Sequence, residues 1–186
     1  MGITIHYSGK LNNLKDIGKV QTELSDIAKE LNWTYTVIDD AEQQVNGIII
    51  KPHTDSESLS ILVNKNLHLI SLVALSLNEA NEESAKFVAI KTQFAPLHVH
   101  ISVIKLLKYI KKKYVSNLKV IDESDFWNSG DENILKEKMD FLASRIDLFG
   151  DVLDAHFGEF EEMRSPKEIA GKLEEILKKL GFENNI

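Results

Sequence analysis

Gly47-Ile-Ile-Ile-Lys-Pro52, Leu59-Ser-Ile-Leu-Val63 and Leu67-His-Leu-Ile-Ser-Leu-Val-Ala-Leu-Ser-Leu77 occupy the middle of the chain, and their reading decides the fold. The first is a short apolar run stopped by Pro52, which has no N–H to give to a sheet ladder. The second and third flank Asn64-Lys-Asn66. Asn tolerates positive φ, so this link predicts a tight hairpin between two strands. Just upstream, Trp33 to Ile38 is aromatic and β-branched and reads as a strand, joined to Gly47 by the polar loop Asp39–Asn46. Downstream, Asn78 to Lys86 is a polar loop or short helical turn, and Phe87 to Phe94 is a further strand. Five strands in succession with short links predict antiparallel pairing.

Helical patterns bracket this run. Ile3-Thr-Ile-His-Tyr7 alternates as a strand, and Asn12 or Asn13 is placed to cap a helix over 14–32. Its face is Leu14, Ile17, Val20, Leu24, Ile27, Ala28 and Leu31, in steps of three and four. Pro96 opens a second long helix that ends at Tyr114, with Lys111-Lys-Lys113 in the last turn, where cations complement the helix dipole. Leu118 to Ile121 reads as a short strand, and Asp122 to Asp131 as an acidic loop anchored by Phe126 and Trp127. Beyond Asp131, Leu135, Met139, Leu142, Ile146, Phe149 and Leu153 make a narrow, coiled-coil-like seam. A polar connector, His156 to Arg164, leads to Ser165-Pro-Lys-Glu168, a capping box with Pro at the first helical position. Ile169, Leu173, Ile176, Leu177 and Leu180 form the last apolar face, and Gly181 ends it.

The predicted fold class is α+β, with a curved antiparallel sheet packed by two long helices. In element order, β-α-β5-α, it is similar to helix-grip and TATA-binding-protein-like topologies. A short strand and a C-terminal helical hairpin follow. Residues 1–131 are expected to form the α+β domain, and residues 132–186 a hairpin packed on the same domain.

The 186 residues are 43% hydrophobic, enough for one sizeable core. Cys is absent, which excludes disulfides, a thiolate nucleophile and a Cys-based zinc site. The longest nearly apolar stretch, 67–77, is far short of the roughly 20 residues that span a bilayer. A strand beginning at Ile3 leaves no room for a signal peptide, so no membrane association and a cytoplasmic location are expected. The net charge of −7 is uneven: residues 1–115 hold 13 Lys and Arg against 12 Asp and Glu, and residues 116–186 hold 9 against 17. Such an acidic balance repels phosphate backbones, so no nucleic-acid partner is expected.

Candidate chemistry is sparse. In extended backbone His53, Asp55 and Glu57 point to one side, an arrangement for a proton-transfer pair or a divalent cation; a solvated turn is the competing reading. Lys91 and Gln93 end a strand just before a helix N-terminus, where an anionic ligand would sit, although plain strand alternation on the wet face is the simpler reading. His98 and His100 open the Pro96 helix about 200° apart, so they cannot share a metal; one is expected to be buried, and His100 is retained as a ligand-binding candidate. The carboxylates of 122–131 do not follow a calcium-loop order. The chain has no G-x-x-x-x-G-K-S/T, G-x-G-x-x-G, G-x-S-x-G or H-E-x-x-H. No cofactor or metal is predicted.

Lys91-Thr-Gln-Phe-Ala, the Lys-rich helix ending at Tyr114, and Asp122-Glu-Ser-Asp-Phe-Trp-Asn-Ser-Gly-Asp131 together resemble a family of uncharacterised bacterial proteins over about residues 91–131. That resemblance implies no activity and transfers no functional residue. Two functions remain in view. One is a non-enzymatic binding or regulatory protein, pairing with a second copy or another protein through Leu135, Met139, Leu142, Ile146 and Phe149. The alternative is a small-molecule binder or enzyme with a pocket near His53 and Lys91.

Overall fold

The computed structural model describes residues 3–162 and 165–179; Leu180 and Gly181, expected to end the last helix, lie outside them. The protein is α+β. Its chain divides into two compact units, 1–140 and 141–186.

The first unit begins with β1 (Thr4–Ser8), a 3-10 turn and α1 (Ile17–Glu30), followed by β2 (Thr34–Asp40), β3 (Val45–Lys51), β4 (Leu59–Val63) and β5 (Leu69–Ile70). Next come α2 (Leu72–Ser76), β6 (Val88–Lys91), α3 (Leu97–Lys113), β7 (Lys119–Asp122) and α4 (Phe126–Ser129). Helix α5 (Glu132–Ala155) runs across the division at residue 140, and α6 (Phe157–Glu162) and α7 (Pro166–Lys179) lie in the second unit.

Where one curved sheet is expected, the strands form two. One has the order β6-β1-β7 and the other β2-β3-β4-β5, with every pair antiparallel. The meander β2–β5 pairs locally, as its short links predict. β1 instead pairs with strands far along the chain, Thr4 opposite Lys91 and Ile5 opposite Asp122. Because β1 is antiparallel to both, β6 and β7 run parallel, and α3 is the crossover between them.

Strands β3 and β4 read as continuous apolar runs because both of their faces are covered. Ile48, Ile50, Leu59 and Ile61 enter the main core with α1 and α3, while Val45 and Leu62 enter a smaller core with Ala74, Ala80 and Ala85. Gly47 makes this contact possible: at φ 150°, a Cβ there would lie 2.1 Å from the Ile61 carbonyl oxygen. The 67–77 segment is not a single strand. After two strand residues the Ser71 hydroxyl accepts from Ala74 N–H at 3.1 Å and caps α2. In the preceding link the positive φ falls on Leu67 (66°), not on an Asn. The Asn64 side chain instead closes the turn, accepting from the N–H groups of Asn66 and His68 at 3.0 and 3.1 Å.

Candidate functional site

The ends of β6 and β7 and the first turns of α3 meet on one side of the three-stranded sheet, and a buried polar junction forms there. Thr92 follows β6, His100 lies in α3, Asp122 ends β7 and Ser124 follows it. His100 Nδ1 lies 2.7 Å from Thr92 Oγ1, and its Nε2 lies 3.3 Å from Asp122 Oδ2 and 3.1 Å from Ser124 Oγ. The carboxylate facing Nε2 assigns the ring proton to that nitrogen, leaving Nδ1 to accept from the Thr92 hydroxyl.

Asp122 is the hub of this junction. Its Oδ1 accepts from Ser124 Oγ (2.7 Å) and Ser124 N–H (2.9 Å), and its Oδ2 also accepts from Trp127 N–H (2.9 Å). Burial pushes this carboxyl up, but the hydrogen bonds from His100, Ser124 and the Trp127 N–H together hold it at about 2. Phe126 closes the junction edge-on, its ring centroid 6.2 Å from that of His100.

A hydroxyl, an imidazole and a carboxylate in line can relay a proton. Here Thr92, His100 and Ser124 are fully buried, so no substrate atom reaches the Thr92 hydroxyl in this arrangement. What the junction does is tie β6, α3 and β7 together.

The His53 segment forms a turn. His53 Nδ1 accepts from Asp55 N–H at 3.1 Å, and the His53 carbonyl accepts from Ser56 N–H and Oγ at 3.3 and 3.1 Å. The Lys51 ammonium donates to the Ser56 carbonyl. Glu57 turns the other way: its N–H donates to the Lys91 carbonyl at 2.9 Å, and its carboxylate accepts from Lys91 N–H at 2.8 Å. The loop is thereby clasped to the end of β6 through the main chain. Gln93 is likewise engaged, its Oε1 accepting from Ile3 N–H at 3.2 Å. Among the described residues no group of three or more His, Asp or Glu side chains is placed to hold a metal ion. The histidines of α3 diverge, His98 exposed and His100 buried.

The C-terminal candidates differ among themselves. Leu135 is buried, and Met139 packs against the main core. Leu142 and Phe149 are half-buried, and Ile146 is exposed. In α5 only Leu135 is buried, and Phe141 and Leu148 stand 49% and 40% exposed. Of the second unit's described side chains, Ile176 alone is buried. That unit is joined by polar contacts: Glu159 binds His156 at 2.6 Å and Lys172 at 2.7 Å, and the Ser165–Glu168 capping box closes reciprocally at 3.2 and 3.3 Å. The Lys172 and His156 hydrogen bonds hold the Glu159 carboxyl at about 2.

Sequence reasoning singles out His100 but misses Thr92, Asp122 and Ser124 as its partners. The signal lies in the helical period: His100 shares a face with Val103, Ile104 and Leu107, all of them buried. An imidazole on such a face needs a polar partner, and a strand-ending Asp-x-Ser follows at 122–124. No protein-family model, curated protein or solved structure matches this chain. Among the described residues no helix is long and apolar enough to cross a membrane.

Proposed function

We propose that the protein is a non-enzymatic binding protein that works in the cytoplasm through protein–protein contacts made by its C-terminal helices. The carrying observation is the apolar surface of α5. This helix of 24 residues buries only Leu135, while Ile134, Phe141, Ile146 and Leu148 are exposed. Ile134, Phe141 and Leu148 recur every seven residues, which sets them along one line of the helix. Phe157 and Ile169 add exposed apolar groups on α6 and α7. A row of exposed apolar groups on a helix marks a contact surface, because leaving them in water forfeits the free energy of their burial.

The test is a photo-crosslinking amino acid at position 148 in the full chain, in living cells, with Asp26 on exposed α1 as the control position. A discrete adduct from position 148 and none from position 26 is the expected result. No adduct from position 148, or the same adducts from both positions, would overturn the reading.

A further inference from the structure

Helix α3 differs from the other long helices in how its charge is balanced. On α1, α5 and α7, lysines find a carboxylate three or four residues away: Lys19 with Asp16 at 3.0 Å, Lys29 with Asp26 at 3.4 Å, Lys136 with Asp140, and Lys178 with Glu174 at 3.2 Å. Helix α3 holds five lysines and neither Asp nor Glu. Lys113 reaches Glu23 of α1 at 2.6 Å. Among the described residues Lys105, Lys108, Lys111 and Lys112 have no ion-pair partner. All four are exposed.

Folding does not account for this arrangement. The helix dipole favours cations in the last turn, which covers Lys111, Lys112 and Lys113 but not Lys105 or Lys108. Lys108 stands three residues from Lys105 and four from Lys112, so like charges are neighbours along the helix and repel. These three share one face over about 10 Å of the helix axis. Lys108 is also held in place: it and Lys111 sit 5.5 Å from the centre of the Trp127 ring, which packs against the main core. An anion laid along such a row relieves its repulsion.

A membrane, a nucleic acid and an acidic polypeptide all carry that charge, and the surroundings favour the last. No apolar side chain of α3 is exposed, so nothing there enters a bilayer beside the lysines. The Trp127 ring is taken by Lys108 and Lys111 and offers no platform for a stacked base. A nucleic-acid backbone running on past the row would also meet a chain of net charge −7. We propose that the face of α3 carrying Lys105, Lys108 and Lys112 docks a short acidic segment of a partner protein, whose carboxylates follow the row. This surface is separate from α5, and either reading can fail without the other.

Fluorescence anisotropy of a labelled deca-glutamate peptide, titrated with the full-length protein at low salt, tests this. Deca-uridylate RNA and vesicles of anionic phospholipid are run beside it. A variant carrying Lys105→Glu, Lys108→Glu and Lys112→Glu is compared with one carrying Lys15→Glu, Lys65→Glu and Lys119→Glu, which changes the net charge equally at exposed sites elsewhere. Circular dichroism checks that both fold, with Gln in place of Glu where one does not. The wild type should bind the peptide, more weakly as salt is raised. Reversing the row should weaken binding roughly tenfold or more, and the control reversal less than about threefold. No binding by the wild type, equal losses in the two variants, or tighter binding of RNA or vesicles than of the peptide would each overturn the proposal. A discrete adduct from position 148 without binding of the peptide would keep the α5 reading and sink this one.

Discussion

The loop carrying His53 and the junction carrying His100 each set an imidazole beside an aspartate, at 3.5 and 3.3 Å. At the loop, a third of the His53 side chain and more than half of Asp55 meet solvent, at 34% and 59% exposure. At the junction both side chains are at 0%. The chemistry is the same and the surroundings differ. Water can replace whatever the loop pair loses, so their mutual attraction is worth little. Nothing replaces a partner lost at the junction, where each unpaired polar group carries its full desolvation cost. Depth, rather than the residue pair, therefore determines which of the two holds the fold.

Asp122→Ala should have the largest effect. It strands the donors on His100, Ser124 Oγ, Ser124 N and Trp127 N around a buried hole, and a loss of about 3–5 kcal/mol is expected from denaturant unfolding. A loss below about 1 kcal/mol, within the range of an ordinary surface change, would erase the distinction between junction and loop.

The same carboxylate makes a pH prediction. Asp122 is held at about 2, against an ordinary value of 3.8. A carboxyl lowered on folding contributes stability that is fully present above its unfolded value and fades as pH falls toward the folded one. The contribution is at most about 2 kcal/mol, because lowering a pKa by one pH unit is equivalent to about 1.4 kcal/mol. Asp122→Asn keeps the shape and loses the charge. Its stability deficit relative to wild type should be largest above pH 3.8 and shrink between 3.8 and 2. A deficit that stays constant across that interval would assign the junction's strength to packing.

Much of the fold is legible in the sequence, and what is not legible has a common cause. Runs whose period is local can be read directly: α1, α3, β4 and the Ser165–Glu168 cap follow from spacing within one element. The remainder depends on partners distant in the chain or on a single side chain. The strand expected over 67–77 is cut short by one serine whose hydroxyl finds a helix N-terminus. One sheet becomes two because β1 reaches 88–91 and 119–122 rather than its neighbours. The junction follows the same rule, since Thr92, His100 and Asp122 converge only once β6, α3 and β7 are placed. All three lie within residues 91–131. The apolar seam of α5 is visible as a period, but which of its residues are covered is not, because that depends on what packs against them.

His53→Ala sits at the other end of the comparison. It removes the Nδ1 acceptor for Asp55 N–H, but the turn keeps its main-chain closure from Ser56 to the His53 carbonyl. The loop also stays clasped to β6 through Glu57 and the Lys91 main chain. Water takes up the Asp55 N–H, so the expected change in unfolding free energy is within about 0.5 kcal/mol. A loss several times larger would mean that the imidazole holds the loop as firmly as His100 holds the junction, and exposure would no longer separate the two histidines. A change within that range, alongside a large loss for Asp122→Ala, would leave burial as the property that divides them.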